Sequence, residues 1–102
     1  MGVKGGTEMR FSEALEECMK GKRITRKDWN GRDMFVYYIP PHDVPVKDWL
    51  TRDKNTELTD SERLNGVVHI AGHFDMMNAQ GIRIIGWLAS QTDMASDQWE
   101  VL

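Results

Sequence analysis

Residues 11–21 read FSEALEECMKG, and their spacing is the starting point for the fold. Apolar side chains recur at i, i+3, i+4, i+7 and i+8 along this stretch, which predicts one apolar stripe on an amphipathic helix. We expect Ser12 to cap the start of the helix and Gly21 to end it in a left-handed conformation. Cys18 lies on the stripe, so it is expected in the core and not as a nucleophile, which needs an exposed, electropositive position.

The remainder of the chain alternates short strand-like segments with turn signals. Strands are predicted at 34–39, 67–71, 73–77, 82–88 and 99–102, with a bulge at Gly72, a turn at 78–81 and a short helical turn at 94–97 capped by Thr92 or Asp93. The mostly polar residues 42–66 are expected to form a long connection or an insertion, with a helical turn near 60–63. The predicted class is α+β: one N-terminal helix packed on a small twisted antiparallel sheet.

Charge and composition narrow the classes of function. The chain has 102 residues, a formal net charge of −3 and one cysteine, which excludes an intrachain disulfide and fits a reducing cytosol. No apolar run approaches the roughly 20 residues of a membrane helix, and residues 1–8 lack the apolar centre of a signal peptide. We therefore expect a cytoplasmic protein with no membrane partner. Residues 20–32, KGKRITRKDWNGR, hold six basic residues against one acid, which favours either a phosphate-binding segment or a solvated turn.

A metal site and a catalytic site are both less consistent with the pattern than a binding site. His42, His69, His73 and Asp75 suggest a metal site, and His69 and His73 have the spacing of a helical metal pair. However, their segment predicts strand, and no cysteine pair or carboxylate cluster completes a coordination shell. No glycine-rich phosphate loop occurs, and nothing marks Ser90 as an activated nucleophile. An enzyme remains the alternative if His73, Asp75 and Asp93 meet in space. We expect no metal and no cofactor.

A binding site is indicated by WLASQTD at 87–93, where an apolar run stops at four polar residues. Ser90, Gln91 and Asp93 offer donors and acceptors for ribose hydroxyls or base edges, and Trp29 offers a stacking face beside the basic segment. That the two clusters meet is a hypothesis, and Asp93 could also cap a helix. Trp99 is expected to be a core residue.

Several motifs together resemble a known family. They are F-x-x-A-L at 11–15, R-x-x-W-N-G at 26–31, Met34-Phe35, H-F-D-M at 73–76, W-x-x-S-Q-T-D at 87–93 and D-x-W-E-V at 97–101. In this order they resemble the phage Thoeris anti-defence family of the second type, long known only as a domain of unknown function. The similarity spans 11–39 and 69–102, about two thirds of the chain.

The resemblance implies a function. Members of the family act as sponges that bind a cyclic ADP-ribose signal made by a TIR-domain protein during bacterial immunity. They hold this signal uncleaved in the host bacterial cytoplasm, so the downstream effector is not activated, and some members also hold cyclic oligonucleotides at a separate site. They are homotetramers, dimers of dimers with pockets between subunits. The alternatives are an enzyme that degrades a cyclic nucleotide signal, or a phage protein that binds nucleic acid or is structural; nucleic acid is less favoured because the rest of the chain is acidic.

The resemblance also implies roles for individual residues. Trp29 and Asn30 would line the pocket, with Met34 packing nearby and Trp87 in the wall. Ser90, Gln91 and Asp93 would supply hydrogen bonds. Arg26 would contact phosphate, with Arg23 and Lys27 as competing cations. On this basis residues 1–8 are expected to be a flexible N-terminal segment and residues 9–102 a single ligand-binding domain.

Overall fold

The computed structural model describes residues 8–52 and 58–102, and the side chains of 50–52 are outside the description. The expected flexible segment therefore lies, apart from Glu8, outside the described residues. In chain order the elements are α1 (Phe11–Met19), β1 (Ile24–Arg26), β2 (Phe35–Ile39), β3 (His42–Pro45), α2 (Val46–Arg52), α3 (Asp60–Asn65), β4 (Val67–Ile70), β5 (His73–Met77), β6 (Arg83–Ile84), α4 (Gln91–Ala95) and β7 (Trp99–Val101). They form two compact units: the main unit, Met1–Ile39 with His73–Leu102, and the inserted unit, Pro40–Gly72.

The predicted first helix is confirmed as α1, but its cap differs from the prediction. Arg10 is the N-cap, and the carboxylate of Glu13 accepts the Arg10 backbone N–H at 2.9 Å. Ser12 lies inside the first turn, so the prediction that it caps the helix was wrong: Glu13 provides the acceptor one turn later. Gly21 ends the helix as expected, with φ of +105° and its N–H donated to the carbonyl of Cys18 at 2.9 Å.

The main unit contains a five-stranded sheet in the order β6-β5-β2-β1-β7, and every pair is antiparallel. Ile24 lies opposite Val36 on one side and Val101 on the other. Helix α1 packs on β1, β2 and β7. The buried apolar residues of this layer are Ala14, Cys18, Ile24, Val36, Met76 and Trp99. The predicted α+β class and the helix-on-sheet packing are therefore confirmed.

Residues 42–66 form an insertion with its own secondary structure, so the alternative of a plain connection was wrong. Strands β3 and β4 pair as a separate two-stranded antiparallel sheet, with Asp43 opposite His69. The helical turn expected near 60–63 is α3, which Thr59 and Glu62 close with a capping box. Strands β4 and β5 belong to different sheets, so Gly72 separates two units and does not form the expected bulge within one strand.

The strand predicted at 82–88 ends early. Only Arg83 and Ile84 pair with β5. Gly86 then adopts a φ of +82°, and its N–H is donated to a carboxylate oxygen of Asp75 at 2.8 Å. This left-handed residue interrupts the ladder, although the next N–H, that of Trp87, still donates to the carbonyl of Phe74 in β5 at 2.6 Å. The segment then continues irregularly to α4. In the described part of the chain, no helix has both the length and the apolar character needed to cross a membrane.

Candidate functional site

The polar end of WLASQTD forms the start of helix α4. Ser90 is the N-cap, and its hydroxyl accepts the backbone N–H of Asp93 at 3.1 Å. In return, one carboxylate oxygen of Asp93 (Oδ2) accepts the backbone N–H of Ser90 at 2.9 Å. The expectation that Thr92 or Asp93 is the cap was wrong, since Asp93 is the third helical residue and completes a capping box. The helical turn begins at Gln91, three residues earlier than predicted.

The same carboxylate joins this turn to the basic segment. Its other oxygen, Oδ1, accepts Nη1–H of Arg26 at 2.7 Å and the indole N–H of Trp29 at 3.1 Å. The backbone carbonyl of Asp93 accepts the indole N–H of Trp99 at 2.9 Å. The two clusters that the sequence placed far apart therefore meet within one chain. Asp93 is itself buried, with 10% of its side chain exposed, so these bonds are shielded from water.

Arg26 lies between two carboxylates. Its Nε and Nη2 groups donate to both oxygens of Asp28 at 3.0 and 2.8 Å, while Nη1 reaches Asp93. This is the bidentate geometry that a guanidinium forms best, and only 11% of the side chain is exposed. The two hydrogen bonds that Arg26 donates to Asp28 are the largest cause of its raised pKa, and the bond that it donates to Asp93 raises the pKa further. The bond from Arg26 likewise lowers the pKa of Asp28.

Asp93 is held in its ionised form despite its burial. Desolvation alone raises the pKa of a buried carboxyl. Here the hydrogen bonds from the Ser90 backbone, Arg26 and Trp29 outweigh that effect, and the pKa of Asp93 lies below its ordinary value. The two oxygens of Asp93 already accept hydrogen bonds from three donors within the protein, so this charged side chain stabilises the local structure. Its predicted role as a hydrogen-bonding group toward a ligand stays a prediction.

Aromatic rings connect the site to the core. Trp99 is fully buried, which confirms the expectation that it is a core residue. Trp29 packs edge-on against Trp99 with ring centroids 5.2 Å apart, and Trp87 does so from 6.2 Å. The indoles of Trp29 and Trp87 are both half-buried. Each therefore presents part of a large aromatic surface beside polar side chains, an arrangement suited to stacking.

The loop that carries Trp29 is packed tightly at Gly31. A Cβ placed on Gly31 would lie 2.5 Å from Cβ of Ala79 and 2.6 Å from Sδ of Met34. Only glycine allows this close approach of the loop to the turn at 78–81. Met34 is half-buried and packs against the core, and the exposed Asn30 lies between Gly31 and Trp29. Ser90 and Gln91 are also exposed, on the other segment.

The remaining candidate residues do not converge on this site. Arg23 places its guanidinium 4.9 Å from the ring centroid of Phe35, and Lys27 lies 3.9 Å from Glu8 and 3.8 Å from Glu100. The phosphate roles of these cations and of Arg26 stay predictions.

The histidines are likewise engaged elsewhere. His69 bonds Asp43 within the inserted unit, and His73 lies 3.5 Å from Asp75, whose contacts are distinct from those of Asp93. Among residues 8–52 and 58–102, no three His, Cys, Asp or Glu side chains form a metal-binding group.

Two functional features were missed from the sequence. The sequence counts Asp28, the bidentate partner of Arg26, only as the one acid of the basic segment, although an acid two residues after an arginine is a local signal for such a pair. Gly31 stands in the R-x-x-W-N-G motif, and nothing local indicates that it contacts Ala79.

Comparison with known proteins agrees with the motifs. Residues 9–102 match the family model described as Thoeris anti-defense 2-like domain. A relative named Thoeris anti-defense 2, from Bacillus phage SP01, is 29% identical over 96 residues, which cover 94% of this chain and 97% of the relative. The match includes the α1 motif, the Trp29 loop and the segment from Trp87 to Asp93. The chain belongs to the Thoeris anti-defense 2-like family.

Proposed function

We propose that the protein binds a cyclic ADP-ribose-type immune signal and sequesters it without cleavage, so that a bacterial anti-phage effector is not activated. Membership of the Thoeris anti-defense 2-like family supports a role in phage anti-defence. The finer proposal rests on one oxygen, Oδ1 of Asp93, which accepts hydrogen bonds from both Arg26 and Trp29. These bonds fix the indole of Trp29 beside the Ser90–Gln91 segment. A stacking surface and short polar side chains are thereby presented together.

The chemistry of these groups suits a nucleotide. The half-buried face of Trp29 can stack on a purine, because every base has a π-face. Exposed Asn30 and Gln91 each carry an amide that both donates and accepts, and Ser90 carries a hydroxyl, so ribose hydroxyls and base edges can be satisfied. The Asp93 carboxylate bonds both the Trp29 indole and the Ser90 backbone, so the two segments that carry these groups are joined at one point, which favours a small ligand over an extended one.

Tight sequestration requires a site that is ordered before the ligand arrives. Each rotamer-rich side chain that must be immobilised costs about 0.5–1.5 kcal/mol, and nanomolar binding corresponds to about −12 kcal/mol. Here Trp29 is already held by Asp93 and by its packing on Trp99. The α4 turn that presents Gln91 is already closed by its capping box. This pre-organisation supports high affinity.

The phosphate groups of the ligand would bind to the basic segment, residues 20–32. Arg26 remains our proposed contact, although a phosphate would compete with Asp28 and Asp93 for its N–H groups. Arg23 and Lys27 are the competing cations. Arg23 rests on the ring of Phe35, and its guanidinium has no carboxylate partner among the described side chains, which leaves its charge available.

A binding role is also favoured over a hydrolytic one by the bonding of Ser90. Nucleophilic catalysis needs a hydroxyl beside an oriented base. The Ser90 hydroxyl instead accepts the Asp93 backbone N–H and lies 3.0 Å from the hydroxyl of Thr92, and neither group is a base. The Asp93 carboxylate is directed to Arg26, Trp29 and the Ser90 backbone. We therefore propose that the protein is not an enzyme and needs no cofactor.

We further propose that the protein acts in the host cytoplasm as a homotetramer, a dimer of dimers. The support is an exposed apolar segment on the edge strand β6 and just beyond it, where Ile82, Ile84, Ile85 and Leu88 are between 42% and 90% exposed. Large exposed apolar patches on small proteins commonly mark interaction sites, and an edge strand invites pairing. This segment leads directly to Ser90, so a second copy bound there would adjoin the site.

The proposal is tested by calorimetric titration with a panel of cyclic ADP-ribose isomers and cyclic oligonucleotides. We expect one panel member to bind with a fixed stoichiometry, and Trp29→Ala to weaken that binding by about 30- to 1,000-fold, the usual range for a central aromatic contact. Trp49→Phe, in the inserted unit, is the control and should bind like the wild type. Equal binding by Trp29→Ala and the wild type would overturn the assignment of the site.

A further inference from the structure

We infer that Asp28 is a positioning residue for the candidate site, acting through Arg26 and Asp93 to fix the orientation of the Trp29 indole. The inference rests on the proposed function insofar as the oriented indole serves ligand binding. Hydrogen bonds join four side chains in series: Asp28, Arg26, Asp93 and Trp29. Asp28 is not expected to touch the ligand.

The four groups form a continuous series of hydrogen bonds. Asp28 receives two bonds from Arg26, at 3.0 and 2.8 Å; Arg26 gives its remaining terminal nitrogen to Asp93 at 2.7 Å; Trp29 gives its indole N–H to the same Asp93 oxygen at 3.1 Å. Exposure changes steeply along the series. The side chain of Asp28 is 47% exposed, whereas those of Arg26 and Asp93 are 11% and 10% exposed. Asp28 is therefore the solvent-facing end of a buried arrangement.

The geometry of the guanidinium explains why Asp28 matters. A guanidinium is planar and rigid, so a carboxylate that takes both Nε and Nη2 fixes the plane and sets where Nη1 points. In this protein Nη1 then points at Asp93. Without the fork, the guanidinium can rotate about its last side-chain bonds, and the angle at which it meets Asp93 is no longer set.

The indole depends on the same oxygen. Its N–H is the only polar group of the side chain, and it donates only. Rotation of the Asp93 carboxylate would move the acceptor and turn the ring, which lies nearly perpendicular to Trp99 at 77°. Because a stacking contact depends on ring orientation, a change at the exposed Asp28 is expected to reach the ligand through Trp29.

The indole N–H signals in ¹H–¹⁵N spectra test this directly. The four tryptophans are Trp29, Trp49, Trp87 and Trp99, and single Trp→Phe variants assign their signals. Trp49, which belongs to the inserted unit, is the internal reference. Trp99 cannot serve as one, because its ring packs against Trp29 with centroids 5.2 Å apart and feels any turn of that ring. In Asp28→Asn we expect the Trp29 signal to shift or broaden while the Trp49 signal stays in place.

Asp33→Asn is the matched control. It removes the same charge from the same loop, at an exposed residue whose φ of +59° asparagine tolerates. It should leave all four signals unchanged. Asp28→Glu restores the carboxylate and should return the Trp29 signal toward its wild-type position. If Asp28→Asn does not fold, Arg26→Lys breaks the same fork, keeps a donor for Asp93, and should move the same signal.

Affinity for the cyclic ADP-ribose isomer that binds the wild type is the second readout. We expect Asp28→Asn to weaken it about tenfold, and Asp33→Asn to leave it unchanged. An unmoved Trp29 signal in Asp28→Asn, or a uniform shift of all four signals, would overturn the inference. The proposed function would still be supported if the wild type binds an isomer. Failure of the wild type to bind any isomer would overturn the proposed function, and the spectra would still decide whether Asp28 orients Trp29.

Discussion

Arg26 donates from Nη1 to Oδ1 of Asp93 over 2.7 Å, and this bond joins residues 67 positions apart in the chain. It connects the end of strand β1 to the first turn of helix α4. Both side chains are about nine-tenths buried. The bond therefore holds together the two segments that carry most of the proposed ligand-binding residues, and its loss should affect both stability and binding.

Replacing Asp93 with alanine should lower the free energy of unfolding by about 3 kcal/mol, because it leaves the buried Arg26 and Trp29 donors without their acceptor and removes half of the α4 capping box. Urea denaturation measures the change. Lys20→Gln is the control: it breaks an exposed ion pair with Glu17 and should leave the urea midpoint nearly unchanged, because solvent screens such pairs. Equal small losses in both variants would contradict the central role of Asp93.

Stability should fall in acid through the same carboxyl. Because the folded-state pKa of Asp93 is depressed, its contribution is fully present above the ordinary value of 3.8 and is lost as the pH falls through the lower, folded-state pKa. Asp28, whose pKa is also lowered by Arg26, acts in the same direction. Urea midpoints measured from neutral pH downward should be flat and then drop below the ordinary carboxyl pKa. Asp93→Asn should show a shallower drop, and an unchanged profile would argue against this assignment.

Gly31→Ala should destabilise the protein by about 1–3 kcal/mol, because the added methyl lies within 2.5 Å of Ala79 and 2.6 Å of Met34 Sδ. Ala79→Gly removes one of the two clashing atoms. A double-mutant cycle should therefore show that Gly31→Ala costs less in the Ala79→Gly background. Strictly additive losses would mean that the loop and the turn do not contact each other as described.

Cys18 should be unreactive in the folded protein. Burial raises the pKa of its thiol to about 11, and the Sγ–H is directed at the carbonyl of Val36, 3.7 Å away. Since the thiolate is the reactive form, a disulfide reagent at mildly alkaline pH should react only as fast as the chain opens. The rate should rise steeply across the urea transition. Rapid labelling without denaturant would show that the thiol is accessible.

Local periodicity accounts for the parts of the fold that were predicted. Helix α1 was recognisable because its apolar residues repeat with the helical period, and β2 because aromatic and β-branched residues precede two prolines. In the inserted unit, α3 and β4 were predicted, whereas β3 and α2 were missed because they are short and carry charged residues, as in His42–Pro45. The early end of β6 was missed because the apolar run continues to Ile85, while the left-handed turn at Gly86 depends on Asp75.

The candidate site, like the fold, could be predicted only in part. Ser90 and Asp93 could be singled out because four polar residues follow an apolar run, and Trp29 because it lies in the basic segment 20–32. That they meet within one chain, through one carboxylate, depends on the pairing of β1 with β7 and could not be read from spacing. Asp93 was expected to face a ligand, yet most of its hydrogen-bonding capacity is used inside the protein. Side-chain type indicates what a residue can bond, but only the fold selects the partner.

The central claim is sequestration without cleavage, and the most direct measurement is a mass balance. The purified protein is saturated with the cyclic ADP-ribose isomer that it binds, freed of excess, denatured by heat, and the released molecule is identified by mass spectrometry. We predict recovery of the intact cyclic molecule in stoichiometric amount from the wild type and little from Trp29→Ala. Recovery of a linear or hydrolysed product, or of no nucleotide from the wild type, would contradict the account.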